Sequence, residues 1–501
     1  MQLHTTRIWV PLFCILAISS LSCKKFLASY SQNNSFIETA GDLDELLVGT
    51  AYYNPLGGGE TMLYAMDDDA QLTPTVQNNH NAEILTGWHY WQAEPRLTTA
   101  GKLSLTDNFY NDLYKRIAGI NTILHNVAEL GKKNEPSAAL KRISGEAHYL
   151  RAVYYFMLVN LYGKPYRVAT AGNDFGVPLK TVPAIKDEFV SRSTTGEVHL
   201  QIVKDLLEAE QELAGANKGS TIRASQQAAQ ALLSRVYLFM EEYEKAALYA
   251  DKVIESHLFE VKDLNQHTAG DDFLYRTSPE VIFTMGSNLM AFAMDNNTDK
   301  PTRPYYRVSE ELALSYSSDD LRLKFWLSPN SQGYYRAVKK KKILNGTVDD
   351  VSDMFLVRLS EMYLNKAEAL AAIGRSEEAR NSLQELRGKR FQPAALTPIS
   401  EEGAALVNRV RNERRLELCF EGQRWFDLRR YAVNSQYPFS KSIRHRSIIY
   451  TGNGYTENGY YELAPYEQDA AAYIVPIASD EIEFNRGLIT NEQRPERPLK
   501  Q

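Results

Sequence analysis

Hydrophobic residues recur at helical spacing along much of this 501-residue chain. Three stretches show the pattern clearly, and they predict amphipathic helices over residues 109–130, 143–161 and 195–213. The second helix is expected to end at Gly163, and Thr194 or Thr195 is expected to cap the third. The pattern therefore predicts a chain built mainly from α-helices.

Two further segments, residues 225–254 and 359–386, alternate small and large residues in the manner of tetratricopeptide helix pairs. Gly374 is expected to form the turn of the second pair. More than a hundred residues separate the two pairs, so long insertions must interrupt the helical scaffold. The expected fold is mainly α, with tetratricopeptide-like helix pairs forming a scaffold and with long irregular loops and a few short strands building a ligand face.

Three insertions, residues 54–77, 257–306 and 450–473, are rich in glycine, asparagine or tyrosine and are predicted to be loops. The chain contains 30 tyrosines and 5 tryptophans, whose flat rings and polar edges suit stacking on sugars or contact with peptides. For the group at residues 88–91, a place in the hydrophobic core is an equally good interpretation. The candidate ligand-binding residues are Trp88, Tyr90, Trp91, Tyr305, Tyr306, Tyr455 and Tyr460.

The first 22 residues have the pattern of a bacterial lipoprotein signal peptide. Residues 8–22 carry no charge, and this stretch is shorter than the roughly 20 apolar residues that a membrane-spanning helix needs. Cys23 follows the small residue Ser22, so we expect cleavage before Cys23 and acylation of its thiol, for example by palmitate. The alternative is an ordinary cleaved signal peptide that leaves Cys23 as an incidental thiol. Acylation would tether the mature protein to a membrane.

Charge and cysteine content argue against a nucleic-acid-binding protein and against a disulfide-stabilised one. The chain has 56 basic and 62 acidic residues, and loss of Arg7 with the leader gives the mature protein a net charge of −7. A negative net charge gives no general attraction to nucleic acid, so no nucleic-acid partner is expected. If Cys14 is removed and Cys23 is acylated, Cys419 has no disulfide partner, and we interpret it as a small buried hydrophobic residue.

The most densely charged segment, residues 410–431, offers two interpretations. On a helix Glu413, Glu417 and Glu421 would share a face, where carboxylates act as acid and base in hydrolases. The interleaved arginines favour ion pairing instead. Metalloprotease, serine-hydrolase and phosphate-loop motifs are absent from the sequence, and no metal or cofactor is expected. The proposed partners of these carboxylates within the segment are Arg414, Arg415, Arg424 and Arg429.

Other polar residues are interpreted as surface features rather than as sites. The run of Asp67, Asp68 and Asp69 lacks the alternating spacing of a calcium loop and is expected to form a solvated turn. His80 and His89 are isolated histidines. The lysines at 339–342 are expected to form a solvated basic turn.

Several motifs, taken in order, resemble those of the SusD/RagB family of outer-membrane nutrient-uptake lipoproteins of Bacteroidetes. The resemblance extends over nearly the whole mature chain. It rests on Cys23-Lys24-Lys25-Phe26-Leu27, residues 114–124, residues 146–156 with Leu150-Arg151-Ala152, Tyr162-Gly163, residues 228–237, 358–369 and 413–429, and Pro476-Ile477 followed by Glu481, Ile482 and Asn485.

The resemblance implies a non-catalytic protein that is lipid-anchored in the cell outer membrane, exposed at the surface, and binds an oligosaccharide or peptide. It also implies a partner, a SusC-like TonB-dependent transporter that the protein caps and supplies with ligand. The expected domains are the signal peptide, residues 1–22, and one SusD-like domain, residues 23–501, in which the parts 23–260 and 261–501 are interleaved. Two other functions stay open: an exported hydrolase that uses the 413–421 carboxylates, and a helical scaffold without a ligand.

Overall fold

The structure, a computed structural model, describes residues 37–53, 62–72, 85–97, 101–103, 109–133, 137–183, 189–286, 306–329, 333–340, 349, 351–451 and 455–501. The leader with Cys23, the glycine-rich residues 57–59, His80 and Tyr305 lie outside these residues. In the described part of the chain, helices make up most of the regular structure, which confirms the mainly α prediction. None of the helices described there has the length and apolar character needed to cross a membrane.

The N-terminal part begins with short elements and continues into three long helices. Helix α1 (Ala40–Leu46) passes into a π-helical turn (Leu47–Ala51) and is followed by α2 (Met62–Met66), β1 (Ala70–Leu72) and α3 (Thr86–His89). The long helices are α4 (Phe109–Gly131), α5 (Ser137–Tyr162) and α6 (Thr195–Glu212). All three were expected from the hydrophobic pattern, and the Thr194 side chain caps α6 in a reciprocal capping box with Glu197.

The first tetratricopeptide-like pair consists of α7 (Gln226–Phe239) and α8 (Tyr243–Ile254). A 3₁₀ turn (Leu264–Gln266) and short elements come next: β2 (Val281–Phe283), β3 (Tyr306–Val308), α9 (Glu310–Ser315), α10 (Leu321–Trp326), β4 (Leu327–Pro329), β5 (Tyr335–Ala337) and β6 (Val357–Arg358).

The second pair consists of α11 (Leu359–Ala372) and α12 (Ser376–Gly388), and the turn between them contains Gly374, whose positive φ of 79° is the left-handed conformation that glycine adopts easily. The remaining elements are a 3₁₀ turn (Pro393–Ala395), α13 (Gly403–Leu418), α14 (Arg424–Val433), β7 (Ile443–Tyr450), β8 (Tyr455–Leu463), α15 (Tyr466–Asp469), a 3₁₀ turn (Ala470–Tyr473) and α16 (Ser479–Phe484).

The two helix pairs lie side by side although they are distant in the chain. Helix α8 packs against α11, and α11 packs against α12 and α13, so the scaffold continues across the insertion between the pairs. The contact is close because small residues meet there. Ser234 Oγ donates to the Ala246 carbonyl over 2.8 Å and accepts from Asn365 Nδ2 over 3.2 Å, which links α7, α8 and α11.

The described strands form four antiparallel two-stranded sheets, β1–β3, β2–β6, β4–β5 and β7–β8. The longest of them, β7–β8, pairs Ile443 with Leu463 and Tyr450 with Tyr455, with a register irregularity after Ser447. The prediction of a loop over residues 450–473 is therefore wrong, because much of this segment is a hairpin strand followed by short helical turns. Its alternating tyrosines suit a strand as well as a loop.

Candidate ligand-binding site

Four of the aromatic residues predicted to contact ligand lie in the hydrophobic core. Trp88, Tyr90, Trp91 and Tyr306 are each only 1–2% exposed. Two of them pack against the β7–β8 hairpin: Tyr90 stacks on Tyr461 and Trp91 stacks on His445, each with 4.3 Å between ring centroids. Because their faces are covered by protein, these four residues cannot form a stacking platform for a ligand in this structure, and the core interpretation is the correct one.

The remaining candidates lie on or beside the hairpin. Tyr460 is partly exposed, and the guanidinium of Arg444 lies 4.8 Å from its ring centroid. Tyr455 takes part in β8 through its backbone. The Tyr455 side chain and Tyr305 lie outside the described residues. For Tyr305, Tyr455 and Tyr460, ligand contact stays a prediction.

A cavity of about 490 Å³ opens elsewhere, between the π-helical turn, α4, the start of α7 and the end of β2. We call it the arginine cavity. Ligand pockets in proteins are usually of about 300–1,000 Å³, so its size fits one or a few sugar rings. It is lined by Val48, Gly49, Tyr52, Tyr53, Arg116, Ile222, Arg223, Arg276, Thr284, Met285 and Gly286.

One wall of the arginine cavity is built by Tyr52 and Arg223. The Tyr52 hydroxyl donates to Glu146 Oε2 over 2.5 Å, and burial together with this carboxylate raises the pKa of Tyr52 well above its ordinary value. Arg223 donates to the same carboxylate from Nε over 2.6 Å and also pairs with Asp44. Its guanidinium lies 5.4 Å from the Tyr52 ring centroid. The wall is therefore held in place by carboxylates behind it.

A second wall repeats this arrangement with different residues. The Tyr53 hydroxyl donates to Asp112 Oδ2 over 2.6 Å, and Arg116 Nε donates to the same oxygen over 3.1 Å. Arg116 Nη1 also donates to the Tyr52 carbonyl over 2.8 Å. The guanidinium lies 3.9 Å from the Tyr53 ring centroid, a short cation–π contact. Burial and the Asp112 carboxylate raise the pKa of Tyr53, so the phenol stays a hydrogen-bond donor.

The third arginine, Arg276, differs from the other two. It is half-buried, and its backbone N–H donates to the Asp349 carbonyl over 2.9 Å. Within the part of the chain that the structure describes, its Nε is buried without a hydrogen-bond partner, and no carboxylate pairs with its guanidinium. Arg276 therefore presents an uncompensated charge to the cavity.

The rim of the cavity is apolar. Val48 is 50% exposed and Ile222 is 46% exposed, so both offer accessible apolar surface at the opening. Apolar side chains beside fixed polar groups are typical of sites that bind small molecules. The arginine cavity thus combines fixed donors with an open apolar rim.

A second cavity, of about 500 Å³, lies next to α13. Its lining mixes three carboxylates with three arginines, among them Asp319, Arg387 and Arg409. Asp320 and Glu413, which also line it, already pair with Arg322. Because most of these charges are satisfied within the protein, this cavity is the weaker candidate.

The three glutamates of the charged segment are buried and paired, as the non-catalytic interpretation expects. Glu417 is fully buried and accepts from Arg390 over 2.7 and 2.9 Å, from Arg358 over 2.8 Å and from Arg322 over 3.1 Å. Burial raises the pKa of a carboxyl, but these guanidiniums outweigh burial and hold the pKa of Glu417 well below its ordinary value. A general acid needs the opposite shift.

The partners of these glutamates were not those expected. Helix α13 ends at Leu418, so Glu421 does not share a helical face with Glu413 and Glu417. The arginines of the segment do not pair with these glutamates: Arg414 binds Asp427 within the segment, and Arg415 and Arg424 bind the aspartates of residues 67–69. Arg429 donates to the Gly163 carbonyl. Ion pairing is confirmed, but it joins distant segments.

Two expected surface turns are buried. Asp68 and Asp69 are 5% and 0% exposed, and Arg424 Nε lies 2.7 Å from Asp68 Oδ1. Lys339, 1% exposed, pairs with Glu421, and Lys340 lies 3.1 Å from Asp353. The prediction of solvated turns is wrong at these four residues, because each charge has a counter-ion within the protein, and also at Asp67, which is 5% exposed. In the described part of the chain, no three potential ligands come together to hold a metal.

Two further residues considered in the sequence, His89 and Cys419, are buried in the protein interior. His89 is 0% exposed and its Nδ1 lies 2.8 Å from the Ala65 carbonyl, so it is a core residue rather than a surface one. Cys419 is 1% exposed, which confirms the buried interpretation, and burial raises the pKa of its thiol.

Sequence reasoning missed the residues of the arginine cavity. Tyr52 and Tyr53 immediately precede the first expected loop, which was placed from residue 54 onwards. Adjacent tyrosines at the mouth of a glycine-rich segment were the available signal. No comparable sequence signal marked the three arginines of the cavity, because they come from three separate elements or loops: Arg116, Arg223 and Arg276.

Two family models match consecutive parts of the chain. One, described as starch-binding and associating with the outer membrane, matches residues 25–238, and the other, described as the SusD family, matches residues 295–493. The chain belongs to the SusD/RagB family. Among curated relatives, SusD-like protein P38 of Formosa agariphila is 26% identical over 346 residues, which cover 57% of this chain and 65% of that protein. SusD-like protein P2 of the same organism is 25% identical over 385 residues, covering 66% and 72%.

Solved structures of the SusD superfamily share the fold. A member from Bacteroides vulgatus has a TM-score of 0.71 at 21% identity, covering 92% of this chain and 100% of that one. A member from Bacteroides thetaiotaomicron has a TM-score of 0.67 at 23% identity, covering 91% and 100%. A SusD-like carbohydrate binding protein from Bacteroides vulgatus has a TM-score of 0.68 at 18% identity, covering 90% and 97%. At these identities the likeness establishes the fold only.

Proposed function

We propose that this protein is a surface-exposed lipoprotein of the outer membrane that binds an oligosaccharide in the arginine cavity and delivers it to a SusC-like TonB-dependent transporter. The observation that carries the proposal is the cavity itself, about 490 Å³ with fixed donors and an apolar rim, in a chain of the SusD/RagB family. The choice of carbohydrate is supported by the starch-binding description of the matching family and by the structural neighbour described as carbohydrate binding.

The geometry of the cavity suits a sugar. Tyr52, Arg116 and Arg223 are locked by hydrogen bonds to carboxylates and carbonyls, so little side-chain entropy is lost when a ligand binds. Val48 and Ile222 offer apolar surface to the C–H face of a sugar ring. Fixed polar groups then select the hydroxyl pattern, as in small-molecule sites generally.

Filling the cavity tests the location of the site. Ile222 is 46% exposed on the rim, so Ile222→Trp should place an indole in the opening without disturbing the core. We expect at least about tenfold weaker oligosaccharide binding by calorimetry, or about 1.4 kcal/mol. Leu248→Trp is the matched control, because Leu248 is 54% exposed on α8 and does not line the cavity. Equal binding by both variants would move the site elsewhere, and no binding by the unmodified protein would reject the binding function.

The tether and partner need separate tests. Mass spectrometry of the mature N-terminus should find acyl chains on Cys23, and an unmodified Cys23 would contradict the lipoprotein assignment. Crosslinking in native outer membranes should recover a large β-barrel transporter with this protein. Repeated recovery of the protein alone would argue against the transporter partnership. The domain boundaries at 1–22 and 23–501 stay predictions that the same N-terminal analysis checks.

The hydrolase alternative has a specific weakness. Its candidate carboxylates, Glu413 and Glu417, are 4% and 0% exposed and are covered by arginines, so substrate cannot reach them in this structure. The expected result is that oligosaccharides which bind are recovered intact by chromatography. Cleavage that Glu417→Gln abolishes, in a variant that still folds, would favour the hydrolase.

A further inference from the structure

The arginine cavity is positively charged although the chain as a whole is acidic. The formal net charge is −6, yet the lining contains three arginines and no aspartate or glutamate. The carboxylates behind the lining offset part of this charge. Asp44 and Glu146 face Arg223 and Arg142, and Asp112 faces Arg116.

When these ion pairs are counted, one positively charged group of the lining has no described counter-ion. The described ion pairs behind the lining join three guanidiniums, those of Arg116, Arg142 and Arg223, to three carboxylates, and none of these pairs includes Arg276. The surplus belongs to Arg276, which has no described counter-ion and whose Nε is buried without a partner. A partly desolvated cation without a partner is unfavourable, and an anion that replaces the lost hydration recovers this energy.

The neighbouring arginines cannot turn towards other partners. Arg223 uses Nε and Nη2 for Glu146 and Asp44, which leaves its Nη1 without a hydrogen bond to any described residue. Arg116 is held by Asp112 and stacked 3.9 Å from the Tyr53 ring centroid. The cavity therefore holds guanidinium groups in fixed positions, the geometry in which arginine recognises carboxylate and sulfate oxygens well.

We infer that the oligosaccharide bound in the arginine cavity is anionic and that Arg276 contacts its carboxylate or sulfate group. This inference rests on the proposed function, because it specifies the ligand of the same site. A carboxylate is planar and a sulfate group is tetrahedral, but in both groups several oxygens share the negative charge and can accept hydrogen bonds from Arg276. Neutral sugars would leave the surplus charge of the cavity unpaired.

The test is calorimetry with four probes: tetragalacturonate, a sulfated carrageenan tetrasaccharide, maltotetraose and tetraglutamate. The unmodified protein should bind one of the two anionic sugars, more weakly at 500 mM than at 50 mM NaCl. Arg276→Gln should weaken this binding about 10- to 100-fold, because a hydrogen bond between charged groups is lost, whereas Arg276→Lys should keep part of it. Arg375→Gln is the matched control, since Arg375 is exposed and does not line the cavity.

Each alternative outcome has a distinct meaning. If maltotetraose binds at least as tightly as both acidic sugars, the inference fails and the proposed function stands. If an acidic sugar binds but Arg276→Gln, folded by circular dichroism, binds it equally well, Arg276 is not the contact and the inference is overturned. If only tetraglutamate binds, the ligand is an acidic peptide and both fail. If no probe and no sugar of a wider library binds, the proposed function itself is rejected.

Discussion

Replacing Glu417 by glutamine removes one charge from the middle of a buried ion network. In the described part of the chain, five carboxylates in this network (Glu280, Asp320, Glu413, Glu417 and Glu421) meet five cations (Arg322, Lys339, Arg358, Arg387 and Arg390). The network is therefore neutral, and Glu417→Gln leaves it with a charge of +1. Because glutamine has nearly the shape of glutamate, the change creates no cavity.

The cost can be worked from the contacts. Glu417 is ion-paired with Arg322, Arg358 and Arg390, and all four side chains are 0–1% exposed. Breaking a buried ion pair by removing one partner costs about 3–5 kcal/mol, since the other charge stays buried without compensation. In addition, the amide nitrogen of the new glutamine is a hydrogen-bond donor that faces a guanidinium, which can only donate as well. We expect a loss of about 4 kcal/mol or more, a large part of the roughly 5–15 kcal/mol that stabilises an ordinary domain.

Urea denaturation followed by tryptophan fluorescence measures this loss. Trp326 lies 5.4 Å from the Arg390 guanidinium, so its emission reports on the network directly. Glu378→Gln is the matched control: Glu378 pairs with Arg375 over 2.5 Å, but both side chains are half exposed, and no resolvable change is expected. If Glu417→Gln shifts the transition no more than Glu378→Gln, the network does not stabilise the fold and the reasoning is refuted.

Other substitutions test local features. Thr194→Ala removes the α6 capping box and should cost about 1 kcal/mol by thermal denaturation. Gly422→Ala should cost clearly more than Gly215→Ala: both glycines have positive φ, but only at Gly422 would a Cβ lie 2.6 Å from a carbonyl oxygen, that of Asp353. Burial lowers the pKa of His199 to about 4, so the folded protein keeps this imidazole neutral, whereas the unfolded chain binds a proton near pH 6.5. The resulting contribution to the free energy of unfolding, about 3 kcal/mol, is present above pH 6.5 and is lost as pH falls towards 4. His199→Phe should flatten the dependence of urea stability on pH in that window, and an unchanged profile would contradict the assignment.

The long helices were predictable because their signals are local. In α4, Leu113, Ile117 and Ile120 are all 0% exposed, as their spacing in the sequence requires. The Thr194 cap and the Gly374 turn also depend on residues within one turn of the helix end. Each of these features can be recognised from one short stretch of consecutive residues, without knowledge of the rest of the chain.

The buried charges were not predictable because their partners are remote. Asp68 and Arg424 are 356 positions apart, and Lys339 and Glu421 are 82 apart. A charged residue is usually exposed, so a run such as residues 67–69 favours a solvated turn until its counter-ion is known. The same holds for Trp88 and Trp91, whose aromatic character fits a core and a binding site equally well.

The structure provides two criteria for separating structural from functional arginines, and both are needed. Charge imbalance alone is insufficient: Arg429 also lacks a carboxylate partner among the described residues, and burial lowers its pKa to about 10. But Arg429 is 1% exposed and donates to the Gly163 carbonyl, so no ligand can reach it. Arg358 is equally buried but fully paired. Arg276 combines an unpaired charge with access from an open cavity whose lining contains no carboxylate, and this combination allows an external anion to complete its environment. Arg409 also has a buried Nε without a described partner and lines a cavity, but three carboxylates line that second cavity with it.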